Sequence, residues 1–334
     1  MNKKYDIVVL YSGGLDSKLA CKILASQNLS VLAVKFLHPF SPDLMRTKTL
    51  HHFDEQLGVD VLEIPTDDDY LETILHPKHG YGANANPCID CKIYFFKKAF
   101  EISRDVGATG IATGEVLGQR PFSQRKDAME LIEKSAGLRG KIVRPLCAKF
   151  FKPSQPEIDG IVNRELLYGI RGRGRKEQIE LAKKFDIRKY PSPAGGCLLT
   201  DPEYSAKFFD AKEHGEITFE TTQLLKFGRH FRFRGRRIVI GRNRRENEIF
   251  EKIFLNNRFL IVPSVKGPSA LVDVADDEIL RFAASLVARY CRTQVNNYVE
   301  VRVFRKNSFV RSLKVAPADP IYAEKFLIRK IDKS

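Results

Sequence analysis

The chain has 334 residues, too many for one ordinary domain and enough for two or three. Hydrophobic residues make up 43% of it, so sizeable cores are available, yet no run approaches the roughly 20 apolar residues of a membrane span. A formal net charge of +15 exceeds what binding a small nucleotide requires and points to a polyanionic macromolecule as partner.

In chain order, a short basic start runs directly into the apolar stretch 5–10, which predicts a buried first strand rather than a signal peptide and hence a cytoplasmic protein. Tyr11-Ser12-Gly13-Gly14-Leu15-Asp16-Ser17 follows, and residues 18–27 then space their apolar side chains as a helix does. Further strands are expected at 31–37, 59–64 and 110–112, with helices over 46–57 and 91–106. Strands alternating with helices predict an α/β domain of Rossmann-like type, a parallel sheet with helices on both faces, over residues 1–150. Residues 151–215 change character. The stretch 171–175, Arg-Gly-Arg-Gly-Arg, reads as a basic hinge, 176–185 as an amphipathic helix, 190–201 as a Pro- and Gly-rich loop and 202–214 as another helix. A composition shift near Glu216 opens a basic α+β domain, 216–334, with strands at 231–233, 238–240, 298–304 and 309–315 and a helix at 277–290.

Three constellations carry chemistry. Strand, Gly-rich turn and helix is the setting in which a loop holds phosphate. Gly13 and Gly14 let the backbone turn and approach an anion, and Ser12, Ser17 and the free N–H groups of the helix start can hold its oxygens. The spacing is not that of the Walker loop. The second constellation is Asn86-Pro87-Cys88-Ile89-Asp90-Cys91-Lys92 together with Cys197 on its Gly-rich loop. A C-x-x-C pair can be half a zinc site, a redox pair or two ligands of an iron–sulfur cluster. No second close pair completes a four-cysteine zinc site, and a thioredoxin-like role suits this fold poorly. Cys21, Cys147 and Cys291 are expected to be structural. The seven histidines, including His51-His52 on the expected 46–57 helix, form no ligand-spaced cluster. The third constellation is 226–245, with nine Lys or Arg and no Asp or Glu. Arg229, Arg232, Arg236, Arg237 and Arg242 are candidate phosphate contacts, and Phe227, His230, Phe231 and Phe233 could stack on unpaired bases.

The Ser12–Ser17 loop closely resembles the S-G-G-x-D-S pyrophosphate loop of the adenine nucleotide alpha-hydrolases, the PP-loop ATP pyrophosphatases. With the N-P-C segment, Ala112-Thr113-Gly114-Glu115 and the Cys197 loop, residues 1–215 resemble tRNA thiolation enzymes of the 2-thiouridine and 4-thiouridine synthetase kind. The resemblance implies an ATP-dependent tRNA sulfurtransferase that adenylates a base carbonyl and replaces its oxygen by sulfur. It implies ATP and Mg2+ at Tyr11–Ser17, with Asp16 near the metal, adenine at the backbone of Lys35, Phe36 and Leu37, and Thr113 and Gly114 closing the site. It further implies Cys88, Cys91 and Cys197 as the sulfur-handling residues, either as ligands of a 4Fe–4S cluster or through a persulfide. The partners would be tRNA or another structured RNA and a sulfur donor: a cysteine desulfurase, a sulfur carrier or free sulfide. Residues 227–231 and 240–243 resemble the RNA-binding domain of NFACT proteins. Two other functions use the same features: a PP-loop amide or C–N ligase acting on a small molecule, and a non-catalytic RNA- or ribosome-binding adaptor.

Overall fold

The structure, a computed structural model, describes residues 5–191, 196–254, 258–292 and 297–329. Its contacts divide into two compact units, Met1–Cys197 and Leu198–Ser334.

The first unit contains β1 (Ile7–Leu10), α1 (Leu15–Ala25), β2 (Val31–Leu37), β3 (Leu50–Asp54), β4 (Val59–Pro65), α2 (Asp68–Leu75), α3 (Cys88–Asp105), β5 (Ile111–Thr113), α4 (Lys126–Ala136), β6 (Ile142–Val143), α5 (Gln155–Ile158) and α6 (Lys176–Lys184). Its six strands lie in the order β3-β4-β2-β1-β5-β6. All neighbours are parallel except β3, which runs antiparallel to β4. Alternating residues of β1 divide the core. Ile7 and Val9 pack in one cluster with Leu15 and Leu19 of α1 and Leu181 of α6. Val8 packs in the other with Ile89, Phe96 and Ala99 of α3 and Ile132 of α4. The sheet therefore has helices on both faces, and near-continuous apolar runs such as IVVL in β1 follow from burial on two sides.

One expected helix is absent. Within 46–57 the chain forms the edge strand β3, pairing Leu50–Asp54 with Val59–Glu63. Its side chains are mostly exposed, so these residues lack the buried apolar face that a helix here would need. His51 and His52 consequently lie on an exposed edge strand.

The second unit contains α7 (Pro202–Glu213), α8 (Phe219–Leu224), β7 (Arg229–Phe233), β8 (Arg236–Ile240), α9 (Arg244–Ile253), β9 (Phe259–Pro263), β10 (Ala270–Val272), α10 (Asp277–Arg289), β11 (Val299–Arg305), β12 (Ser308–Val315) and α11 (Pro320–Glu324). The strands form one antiparallel sheet, ordered β12-β11-β9-β10-β8-β7. Ile238 and Ile240 share a cluster with Ile279, Ala283 and Val287 of α10, whereas Val239 between them packs with Leu224 of α8 and Phe250 of α9. The period-2 alternation of a strand thus serves two apolar layers.

The β7–β8 hairpin turns at Arg234 and Gly235, both with positive φ (48° and 72°), the geometry favoured in two-residue hairpin turns. Of the aromatics considered for base stacking, Phe231, Phe233 and His230 are buried, and Phe227 packs against the α8–α9 layer. The His230 ring donates from Nε2 to the Phe227 carbonyl at 2.7 Å and faces Arg237 through Nδ1 at 3.2 Å. Burial, reinforced by Lys207 and Arg237, holds its pKa well below the usual histidine range, so the ring is neutral at pH 7. These side chains form core, and base stacking by them is corrected accordingly.

Arg232 and Arg237 are also internal. Arg237 Nη2 donates to Asp210 Oδ1 at 2.6 Å and its Nε to Glu216 Oε2 at 2.8 Å. Arg232 pairs with the same two carboxylates. Both guanidinium forks are committed to carboxylates and are unavailable to a phosphate. The acids precede the basic stretch in sequence, so charge counted within 226–245 alone does not register them. Replacing Arg237 by Ala should leave two carboxylates sharing one arginine in a half-buried site and cost about 3–5 kcal/mol. Urea unfolding checks this as a large fall in midpoint.

Candidate functional site

The carboxyl edge of the first sheet gathers three of the expected segments. The loop Tyr11–Ser17 leaves β1, Lys35–Leu37 ends β2, and Thr113-Gly114 leaves β5. β2 and β5 flank β1 on opposite sides, so this is a topological switch point, where open α/β sheets bind ligands.

The loop is braced from within. Ser17 Oγ donates to the Gly14 carbonyl at 2.9 Å, the Ser12 backbone N–H donates to Ser17 Oγ at 3.3 Å, and the two hydroxyls are 3.3 Å apart. Gly13 has φ +79°, a conformation strained for any residue with a Cβ. Gly14 is the N-cap of α1 and supplies no side-chain cap, so the N–H groups of the first turn are left to an anion.

Gly114 presses on this turn. A Cβ there would lie 2.6 Å from the backbone C and O of Asp16 and from the N of Ser17. The A-T-G segment is thereby given a physical role: only glycine lets the exit of β5 close against the phosphate loop. Asp16 is largely buried. Its Oδ2 accepts from Gln119 Nε2 at 3.1 Å, and its Oδ1 has no partner in the protein. Burial pushes its carboxyl up, opposed by Gln119, Arg175 and Arg120. An unpartnered buried carboxylate oxygen beside an open helix N-terminus fits a hydrated Mg2+ bound to a polyphosphate.

At Lys35–Leu37 the β1 pairing has ended at Val34, while pairing with β4 continues from Glu63 to Pro65. The backbone edge toward β1 therefore projects past that strand, and Phe36 stacks on Phe95 of α3 with centroids 4.9 Å apart.

Behind Gly114 lies a cluster not anticipated from the sequence. Glu115 is buried and bound on both oxygens: Lys92 Nζ donates at 2.6 Å and Arg144 Nε at 3.1 Å. Arg144 also pairs with Glu133 of α4, and Lys92 donates to the Ser123 carbonyl at 3.1 Å. Burial alone would raise the Glu115 carboxyl, but the Lys92 ammonium and Arg144 guanidinium together hold it below the usual range. Cys147 donates to the Glu115 carbonyl at 3.1 Å, and burial pushes its thiol up to about 12, an inert structural cysteine.

Cys88 and Cys91 occupy the first turn of α3. Asp90 between them accepts from the His79 backbone N–H and pairs with the His79 ring, both at 2.9 Å, which ties the preceding loop to the helix. The Tyr70 hydroxyl lies 3.4 Å from Cys91 Sγ, and Asn86 Nδ2 lies 3.5 Å from Cys88 Sγ. Burial raises the Cys91 thiol, with Cys197 and Cys88 adding to the effect. Cys197 acts likewise on Tyr70. The three cysteines thus share one neighbourhood with Tyr70, whose ring packs on Tyr94 and Phe95. Residues 192–195, which include the first part of the Cys197 loop motif, lie outside the described residues. Among the described residues no group of three or more His, Cys, Asp or Glu is arranged to hold a metal ion. Cys91 is turned to Tyr70 and Cys88 to Asn86, so as placed the three thiols are not a ligand set for a 4Fe–4S cluster.

In the second unit, Arg236 is exposed, Arg229 stacks over Tyr290 at 4.7 Å, and Arg242 is bound to Glu246 with its side chain 39% exposed. These three of the five candidate arginines remain near solvent.

A phosphate loop at the switch point of one unit and an arginine-bearing antiparallel sheet in the other define a nucleotide-binding domain joined to a basic sheet domain. Residues 3–149 match the family model described as Thiamine biosynthesis protein (ThiI), and residues 228–327 match that of the NFACT protein RNA binding domain. The first match lies within the first unit and the second within the second unit. The chain is 30% identical over 120 residues to a probable tRNA sulfurtransferase of Methanosarcina acetivorans, covering 34% of this chain and 28% of that one. It is 26% identical over 146 residues to a probable tRNA sulfurtransferase of Thermococcus kodakarensis, covering 42% and 36%. The chain thus spans about a third of the length of these curated relatives. Among the described residues no helix is long and apolar enough to cross a membrane.

The Glu115 cluster makes a pH-dependent prediction. Its folded-state carboxyl titrates below the ordinary glutamate value of 4.5, so on acidification the unfolded chain takes up the proton first. The stabilisation is complete above that value and is lost as pH falls through the lowered one. Glu115→Gln should cost about 3–5 kcal/mol at pH 7 by leaving Lys92 and Arg144 underpaired. Urea unfolding of both proteins should show the gap narrowing below pH 4.5.

Proposed function

We propose that this protein is an ATP-dependent tRNA sulfurtransferase that forms AMP and pyrophosphate. The observation that carries the reading is that Cys197, far along the chain, lies near enough to Cys91 to oppose ionisation of its thiol, in the unit that also holds the phosphate loop. Neither a ligase of small molecules nor an adaptor needs that convergence of thiols. In this reading residues 1–150 bind the nucleotide, 151–215 bring in Cys197, and 216–334 bind RNA, in a cytoplasmic setting where free thiols persist.

ATP lies with its phosphates on Ser12–Ser17 and its adenine along Lys35–Leu37. Asp16 would hold Mg2+, and the ion would supply neutralisation of phosphate charge. The loop N–H groups and the α1 N-terminus orient the α phosphate for attack by a base carbonyl oxygen. The new O–P bond forms as the Pα–O bond to pyrophosphate breaks. A terminal persulfide sulfur on one of Cys88, Cys91 and Cys197 then attacks the activated carbon, and AMP departs. A second thiol of the set cleaves the S–S bond to release the thiolated base. The resulting disulfide is reduced by an external dithiol, and a desulfurase or carrier protein bearing a persulfide passes its outer sulfur to the freed thiolate. With free sulfide as donor, sulfide instead attacks the disulfide directly, forming the persulfide and releasing the second thiol, and no dithiol is needed. No step is routed through an iron–sulfur cluster.

The test is nucleoside analysis of tRNA from a deletion strain complemented with wild type or Asp16→Ala, together with AMP release by the purified proteins. A thiolated nucleoside should vanish on deletion and return with wild type alone. Asp16→Ala should lose at least about a hundredfold in AMP release, since it removes a group acting on transition-state charge. Unaltered nucleosides in the deletion strain would sink the assignment, and a ligase or an adaptor would give that result.

For RNA, Arg229→Gln with Arg236→Gln should weaken tRNA binding and make log K less steeply dependent on log salt. The slope should fall by about 0.7–0.9 for each phosphate that is no longer neutralised. Binding measured between about 50 and about 200 mM salt checks this. An unchanged slope would put the RNA elsewhere.

A further inference from the structure

The segment 171–178 follows the region that matches the ThiI model, yet it reaches the phosphate loop. Its approach is fixed by pairing: Leu117 and Arg171 form a parallel bridge, and the Gly172 N–H donates to the Leu117 carbonyl at 2.7 Å. Ile170 is anchored in turn to the Leu146 carbonyl at 2.8 Å. This delivers α6 to α1, where Leu181 and Ala182 join the cluster containing Leu15 and Leu19.

Polar groups arrive there without partners. Gln178 is fully buried, and neither its Nε2 nor its Oε1 has a hydrogen-bond partner. The Arg175 Nε is buried and unpartnered, as is Asp16 Oδ1. Arg175 is the N-cap of α6 and makes no side-chain cap, so the helix start adds unsatisfied N–H groups. Both Arg175 and Gln178 face the Asp16 carboxylate, Arg175 through its charge and Gln178 through its side-chain amide, although no Gln178–Asp16 contact has the geometry of a formed hydrogen bond. Buried polar atoms left unpaired are costly, and several orphans in one place are what a polar ligand would resolve.

We propose that Arg175 and Gln178, at the start of α6, form a second wall of the nucleotide site and hold the leaving pyrophosphate of ATP opposite the Ser12–Ser17 loop. The chemistry is matched group by group. The Arg175 N–H and the Gln178 amide N–H suit phosphate oxygens, while the free Asp16 oxygen suits the accompanying divalent cation. The adenosine and α phosphate are not contacted by this wall. This inference rests on the nucleotide reading given above.

The experiment measures affinities of ATP, inorganic pyrophosphate and AMP, with magnesium, for wild type, Arg175→Gln, Arg175→Lys and Gln178→Leu. ATP and pyrophosphate binding should weaken about tenfold in Arg175→Gln, as expected for removal of one charge-assisted hydrogen bond, with AMP affinity unchanged. Arg175→Lys should recover part of that affinity, and Gln178→Leu should weaken ATP and spare AMP. Retained AMP binding also reports that each variant is folded. Equal losses for AMP and ATP would mean a structural role and overturn the proposal, as would ATP affinity unchanged in both Arg175→Gln and Gln178→Leu. If wild type binds no ATP, the nucleotide reading falls with it. If wild type binds ATP and the variants do not discriminate, only the second wall falls.

Discussion

A single buried carboxylate organises the first unit. Glu115 lies between a lysine from α3 and an arginine from the segment after β6, and that arginine continues to Glu133 on α4. An isolated charge at that depth would be prohibitively unfavourable, so each member requires the others. The cluster fixes the exit of β5, and with it Gly114, whose lack of a side chain allows contact with the backbone of Asp16 and Ser17. Electrostatics in the interior thereby sets the shape of a loop at the surface.

The two units solve a common problem differently. The first buries its sheet under helices on both faces and leaves its strand ends to carry polar loops. The second buries a hairpin whose composition is dominated by cations. It does so by drawing Asp210 and Glu216 onto Arg232 and Arg237 and by neutralising His230. Formal charge is therefore a poor guide to available charge there. Arg236, at the same hairpin, remains in solvent, and position relative to the pleat rather than residue type decides which arginine is free.

Much of this was legible in the residues. The apolar runs of β1, β2 and β4, the glycines of the loop and the amphipathic spacing of α3, α6 and α10 each report a local preference that the tertiary structure keeps. The edge strand β3 was not legible, because its exposed side chains carry no periodic apolar signal and only pairing with β4 defines it. The Glu115 cluster was invisible for a related reason. Lys92, Glu115, Glu133 and Arg144 are ordinary charged residues in sequence, and only their meeting in a dry interior makes them unusual. The buried arginines were misjudged because their partners lie outside the stretch in which charge was counted. Long-range polar pairing leaves no periodic trace, in contrast to apolar burial.

Cys91 and Lys92 are neighbours on α3 that reach in different directions, one toward Tyr70 and the other toward Glu115. A helix is stiff over one turn, so the thiol cannot be re-aimed by rotating α3 without drawing the ammonium from its buried partner. The Cys91 thiol and the buried Glu115 cluster are consequently tied together through one turn of helix. Whatever re-aims the Cys91 thiol by turning α3 therefore also loosens the ion pair of Lys92 with Glu115.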